Sequence, residues 1–254
     1  MSISVIFAVK NALDLGYCFL ESLHSCLSFA DEIIISEGHS KDNTLQYLEK
    51  FKKKHDSIIP ITLFQTDWEE RSYVGEVITK VTEEAIKKAS CDYILNLQAD
   101  EIYHEDLGDS IKKIANMSEY NSVCFPFYHF IESWSPYKNP AYREAIRMVR
   151  RNRNPRLKGD AWSFFGVDPV YPAQYISKPI YHFAWVFPKT NDTKHISHSN
   201  IYQNVVEYQE KMRNACRNIQ KEKKPYLLGD FDDFPKLAKR FVGQAEYTIM
   251  EEYL

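Results

Sequence analysis

Asp92-Tyr93-Ile94-Leu95-Asn96-Leu97-Gln98-Ala99-Asp100-Glu101 is the stretch on which the reading of this chain turns. It begins as a run of strand formers and ends in two adjacent carboxylates. Tyr93, Ile94, Leu95 and Leu97 suit a buried parallel strand, which reads as nearly continuous apolar sequence. The carboxyl end of such a strand is where open α/β sheets bind ligands. Two acids there are costly to bury unless a positive group joins them. A divalent cation carrying a phosphorylated substrate meets that need, because hard cations take oxygen ligands. The plainer reading makes Asp100 and Glu101 the start of a solvated loop.

The segments before this stretch repeat one alternation. Ile3 to Val9 reads as a strand that ends at Lys10-Asn11, and Leu13 to Leu27 as a helix with Leu15, Phe19, Leu20, Leu23 and Leu27 at helical spacing. Ile33 to Ile35 is a second strand, followed by a polar turn and a helix from about Thr44 to Lys53 with Asp42 or Asn43 as its N-cap. Ile61 to Phe64 is a third strand, and Val74 to Ala89 a long helix with Val77, Ile78, Val81, Ala85 and Ile86 along one face. Strand and helix thus alternate four times in the first hundred residues, the signature of βαβ units and a parallel sheet. The carboxyl edge of that sheet collects Lys10-Asn11, Glu37-Gly38-His39, Asp67-Trp68 and Asp100-Glu101.

The second half changes character. Leu107 to Met117 reads as a helix, and Ser122 to Ile131 as a strand whose internal Pro126 implies a sheet edge or a bulge. Ala145 to Arg151 is a short strand leading into a basic cluster, Arg147, Arg150, Arg151, Arg153, Arg156 and Lys158. Pro179 to Val186 is a strand that delivers His182; Val205 to Gln220 and the tail from Lys236 read as helices. The expected organisation is a domain over 1–200, divided into a 1–106 half and a 107–200 half, with a helical extension over 201–254.

Composition narrows the class. With 254 residues, 44% of them hydrophobic, the chain can bury a sizeable core. A net charge of −3 gives no footprint for general nucleic-acid binding. No apolar run reaches the roughly 18 residues of a membrane span. The start lacks a basic region and a small-residue cleavage site, so it reads as a strand and not a signal peptide. Five scattered cysteines without a Cys-x-x-Cys pair read as free thiols in a reducing cytoplasm.

Two motifs together resemble family 2 glycosyltransferases of the GT-A fold. Those proteins open with a strand of the type SVIxxxxN, matched by Ser4-Val5-Ile6 and Asn11. Their second strand and turn, of the type VIVVDDGSTDGT, lie without a gap over Ile33-Ile34-Ile35-Ser36-Glu37-Gly38-His39-Ser40-Lys41-Asp42-Asn43-Thr44. Their metal-binding motif, often DADE, is matched by Gln98-Ala99-Asp100-Glu101, with Gln98 in place of the first acid. The Arg-Asn pair frequent on the preceding helix is Thr82-Glu83 here. The likeness covers Ser4 to Glu105.

The resemblance implies a GT-A-type Rossmann-like sandwich, with a mostly parallel central sheet between helices. It implies a metal-dependent inverting transferase that moves a sugar from a UDP- or GDP-type donor to a hydroxyl on a glycan, lipid-linked or protein acceptor. Asp100 and His182 would hold Mn2+ or Mg2+. Ala8, Lys10, Glu37, Asp42, Asp67, Gln98 and Ala99 would line the nucleotide site, with Arg147 and Lys194 reaching phosphate. Inversion needs a base for the acceptor hydroxyl. Asp160, in Lys158-Gly159-Asp160-Ala161-Trp162, is the preferred residue and Asp168 its rival. The expected location is cytoplasmic, peripheral to a membrane if the acceptor is a lipid. Gln98 and the missing Arg-Asn pair also admit a GT-A binding or scaffold protein with weak turnover. A nucleotidyltransferase is disfavoured, since Lys10-Asn11-Ala12-Leu13-Asp14 is not a glycine-rich phosphate loop.

Overall fold

The structure, a computed structural model, describes residues 1–68, 76–117, 120–131, 144–165, 173–176, 178–186, 235–239, 244 and 246–253. Its strands are β1 (Ile3–Val9), β2 (Glu32–Glu37), β3 (Ile61–Gln65), β4 (Tyr93–Leu97), β5 (Glu101–Tyr103), β6 (Ser122–Ile131), β7 (Glu144–Arg150), β8 (Arg156–Lys158), β9 (Ser163–Phe165), β10 (Ala173–Tyr175) and β11 (Ile180–Trp185). Its helices are α1 (Phe19–Cys26), α2 (Thr44–His55), α3 (Glu76–Ile86), α4 (Leu107–Asn116) and the single turn α5 (Lys236–Lys239).

Among the described residues, nine strands form one sheet in the order β3-β2-β1-β4-β7-β6-β11-β5, with β10 beside β6. The strands β3, β2, β1 and β4 are mutually parallel, as right-handed βαβ crossovers require. β7 then runs antiparallel to both β4 and β6. β11 is parallel to β6 and antiparallel to the short β5. β8 and β9 make a separate hairpin. The sheet is mostly parallel, carries helices on both faces and has the GT-A architecture.

The period-2 alternation of strands sorts side chains to two cores. Ile3, Val5, Phe7 and Val9 of β1, Ile33 and Ile35 of β2, and Tyr93, Leu95 and Leu97 of β4 pack on the larger one, with Phe19 and Leu23 of α1, Leu48 and Phe51 of α2, and Ile111 of α4. The alternate positions Ile6, Ile34 and Ile94 face a smaller core with Ala85 of α3 and Leu157 and Phe164 of the β8–β9 hairpin. Asn96 and Gln98 continue the Ile94 face, so that β4 aims two amides at that hairpin.

One local expectation is corrected and two are narrowed. The first helix begins at Phe19, not Leu13. Residues 11–16 fold as a turn, because Asn11 and Gly16 take left-handed conformations (φ 49° and 60°) that a helix excludes. The Thr44 hydroxyl receives the Ala12 amide at 2.8 Å and an Asp42 carboxylate oxygen receives the Asp14 amide at 3.0 Å, which hold this turn against the start of α2. The Asn43 side chain makes no cap hydrogen bond; Asp42 instead accepts the Thr44 amide at 2.9 Å. β6 is not an edge strand: Pro126 falls between the stretch paired with β10 and the stretch paired with β11. The ladder with β7 carries a register shift between Val123 and Cys124 and stays in register at Pro126.

Of the C-terminal part, the tail helix is described only over α5, and 205–220 lies outside the described residues. The last residues return to α1, where the Tyr247 hydroxyl donates to the buried Glu21 carboxylate at 2.8 Å.

Glu32 ties the entry of β4 to β1 and β2. Its carboxylate accepts hydrogen bonds from the Ser4 hydroxyl, from the Ser90 amide at 2.6 Å and from the Ser90 hydroxyl at 3.0 Å. Burial pushes its carboxyl up, but these bonds outweigh it and the net shift is below the ordinary 4.5. A carboxyl lowered in the folded state stabilises above its unfolded value and loses that contribution as pH falls through the folded one. Glu32→Gln is expected to cost about 1 kcal/mol at pH 7, at the low end for charge-assisted bonds because the group is half-exposed. Urea denaturation should show that gap closing as pH drops below 4.5.

Candidate active site

The site begins with a row across three strands. Glu101 of β5 pairs with His182 of β11, and His182 pairs with His129 of β6. Residues in register on neighbouring strands send their side chains to one face, so this row places a carboxylate and two imidazoles side by side. Asp100 immediately precedes β5, and its carboxylate oxygen lies 3.5 Å from His182 Nε2. The backbone keeps the two together, since the Phe183 amide donates to the Asp100 carbonyl at 2.7 Å.

The centre of this region is a buried ion pair. Arg147 of β7 and Glu101 are both 0% exposed and in direct contact. The same guanidinium donates to Gln98 Oε1 at 2.9 Å and to the Ala161 carbonyl at 2.9 Å, and its face lies over the Phe127 ring at 5.3 Å. Burial pushes the Glu101 carboxyl up, and the Arg147 charge opposes that shift. An arginine stays protonated even here, and Glu101 is the acid that faces it.

The hairpin turn that carries Asp160 is over-determined. Gly159 and Ala161 are both left-handed, with φ 60° and 62°, and at Ala161 this costs strain. Three successive carbonyls of the turn each have a side-chain donor. Thr79 Oγ1 donates to Gly159 at 2.7 Å, Gln98 Nε2 to Asp160 at 3.0 Å, and Asn96 Nδ2 to Ala161 at 2.7 Å. The turn is therefore held from α3, β4 and β7 together. Asp160 feels the charges of Arg147, His182 and Asp100; burial is the largest influence and its carboxyl is raised. For His182, burial pulls the pKa down, but the charge and hydrogen bond of Asp100 and the charge of Glu101 outweigh it and the net shift is upward.

A second group lies at the ends of β1, β2 and β3. Ala8 stands beside Ser36 in the ladder, and Lys10 follows β1 half-buried. Gly38 is required here, since a Cβ on it would stand 2.5 Å from Trp68 Nε1. Asp67 is open to solvent and 3.4 Å from His39 Nε2.

The structure therefore joins Gln98, Ala99, Asp100, His182 and Asp160 in one cluster, with Ala8, Lys10 and Asp67 along the neighbouring strand ends. Two residues expected to meet ligand are engaged within the protein. Arg147 does not reach out to phosphate, because it is fully buried and directed at Glu101, Gln98 and Ala161. Glu37 is fully buried as well, and its carboxylate accepts the His39 amide at 3.0 Å, the Ser40 amide at 2.7 Å and Gln65 Nε2 at 2.9 Å. It closes the turn after β2, and Asp42 likewise braces backbone. Asp168 and Lys194 lie outside the described residues. His129 escaped the sequence reading: it sits among aromatics, and its only signal was strand alternation with Phe127.

The residues fit a divalent cation. Asp100 and His182 offer an oxygen and a nitrogen ligand 3.5 Å apart. Among the described residues no three His, Cys, Asp or Glu side chains group as a ready metal site. Two protein ligands match an ion that takes its remaining positions from substrate phosphate and water.

The chain belongs to Glycosyl transferase family 2, whose sequence profile matches residues 4–168. It is thus of the glycosyltransferase class. Comparison with curated proteins finds no match. Among solved structures it is similar to S. aureus TarS, with TM-score 0.50 and 16% identity over 78% of this chain and 39% of that one. It is also similar to TarS 1-349 in complex with UDP, with TM-score 0.52 and 15% identity over 78% of this chain and 64% of that one. For TarS 1-349 in complex with UDP-GlcNAc the values are 0.52 and 15%, over 79% and 66%. The chain spans less than two thirds of each of these three, and the likeness is one of fold.

Removing one partner of a buried ion pair leaves an uncompensated charge. Arg147→Met is expected to lower stability by about 3–5 kcal/mol in urea denaturation. Adding Glu101→Leu to it should recover part of that loss.

Proposed function

We propose that the protein is a metal-dependent inverting glycosyltransferase using a nucleoside-diphosphate sugar of the UDP or GDP type. The observation that carries this reading is the gathering of Asp100, His182 and Asp160 at the carboxyl edge of β4 in a family 2 chain. The TarS structures bound to UDP and UDP-GlcNAc favour a UDP-type donor among these. The acceptor is a hydroxyl on a glycan, a lipid-linked sugar or a protein. Residues 1–106 form the donor half, 107–200 the acceptor half and 201–254 a helical extension.

Asp100 and His182 would hold Mn2+ or Mg2+, which when bound would supply neutralisation of charge on the departing diphosphate. Asp160 takes the proton of the acceptor hydroxyl. The acceptor oxygen then forms its bond to the anomeric carbon as the carbon–oxygen bond to the diphosphate breaks on the opposite face, and the bonding pair leaves with phosphate. A carboxyl raised by burial is better matched to that proton at neutral pH than an ordinary one. The hairpin turn fixes Asp160 before substrate arrives, so little reorganisation is left for the reaction. Arg147 and Glu101 act by holding Gln98 and the turn. In this reading Asp67 and Lys10, with His39 beside Asp67, meet the nucleotide.

A cytoplasmic site of action is part of this reading, peripheral to a membrane for a lipid-linked acceptor. It is supported by the free thiols of Cys18, Cys26, Cys91 and Cys124, all buried. Among the described residues no helix is long and apolar enough to cross a membrane.

Thermal shift against UDP, GDP, CDP and ADP, each with and without Mn2+, tests the donor site. A nucleotide at a hundred times its Kd adds about 2.7 kcal/mol. The expected outcome is a Mn2+-dependent shift with UDP or GDP that Asp100→Asn abolishes. Asp160→Asn should keep the shift and reduce transfer by about 10²–10⁴-fold. No shift with any nucleotide would favour a binding or scaffold protein.

A further inference from the structure

His129 has no role in the reading above, yet its contacts are specific. β6 and β11 are parallel with His129 and His182 in register, so the two side chains share a face. Their rings meet edge to face, with centroids 5.0 Å apart and planes at 84°. The two Nδ1 atoms are 2.8 Å apart. His129 is buried, and Phe127 stacks on it at 5.7 Å. The imidazole is thus held in place independently of any ligand.

A neutral imidazole has one N–H and one lone pair, on different nitrogens. The nitrogen of His182 that faces Asp100 is Nε2. To offer a cation its lone pair there, His182 must carry its proton on Nδ1. The atom that meets this proton is Nδ1 of His129, which accepts only if His129 carries its own proton on Nε2. In the reverse arrangement His129 donates, His182 carries Nε2–H towards Asp100, and no lone pair is offered. Resting on the reading in which Asp100 and His182 hold the cation, we propose that His129 is a positioning residue. It accepts the His182 Nδ1–H bond and fixes the tautomer and ring orientation that open Nε2 to a divalent cation, and it touches neither cation nor donor itself.

Hydrogen-bond partners of this kind are worth 10–100-fold in metal affinity. The test is Mn2+ titration of the full chain, with UDP or GDP present, followed by the electron paramagnetic resonance of free Mn2+. His129→Phe keeps an aromatic ring and removes the acceptor, and is expected to weaken Mn2+ binding 10–100-fold. His129→Asn places a carbonyl oxygen near the position of Nδ1 and should stay within a few-fold of the unmodified protein. Equal affinity in His129→Phe would overturn the proposal, as would His129→Asn binding as weakly as His129→Phe. If the unmodified protein binds no Mn2+, the metal reading itself fails and the proposal with it; binding that is merely indifferent to His129 sinks the proposal alone. A second measurement needs no variant at position 129. Nitrogen NMR of the Mg2+-loaded protein with labelled histidine should show His182 protonated on Nδ1 and His129 on Nε2, and the opposite pattern would refute the assignment.

Discussion

Arg147 and Glu101 form an ion pair without access to water, and the site is assembled around it. Taking both charges out of solvent costs several kcal/mol per ion, and their attraction repays this only with full hydrogen bonding. The surroundings supply such bonds to both terminal nitrogens of the guanidinium. Gln98 and the Ala161 carbonyl take further guanidinium donors, and Phe127 covers its face. Because the partners come from β5, β7, the end of β4 and a hairpin turn, satisfying one arginine fixes four pieces of chain relative to each other. An apolar pair could fill the same volume but would not set direction.

That arrangement explains the amide at position 98. A carboxylate there could accept from Arg147 but could not donate to the Asp160 carbonyl, which Gln98 Nε2 does at 3.0 Å. It would also add a third acid to Glu101 and Asp100. The amide therefore serves the hairpin turn, and Asp100 and His182 are left as the residues proposed to hold a cation. The left-handed Ala161 persists for the same reason: its carbonyl takes hydrogen bonds from both Asn96 and Arg147, which offset a conformation that alanine avoids.

The parallel half of the fold was legible because a strand buried on both faces reads as an apolar run, and β1, β2 and β4 appear nearly where that reading places them. Boundaries set by long-range contacts were less so. Leu13 and Leu15 continue a helical period, yet Thr44 and Asp42 hold that segment in a turn. Glu37 and Arg147 carry the charges of ligand contacts, but burial and hydrogen bonding turn both inward. His129 looked like a core residue among aromatics, and only its register with His182 separates it from one.

The sequence by itself determined which segments become strands and helices, that the first four strands run parallel, and that acids collect at their carboxyl ends. These follow from local periodicity and chain connectivity, which every residue reports for itself. The tertiary structure decided which charges face each other. Whether a carboxylate meets a cation, an arginine or a backbone amide depends on strand order and register between segments tens of residues apart, such as Asp100 and His182 or Glu101 and Arg147. No local pattern encodes that pairing, because it arises only when β5, β7 and β11 are brought together in one sheet.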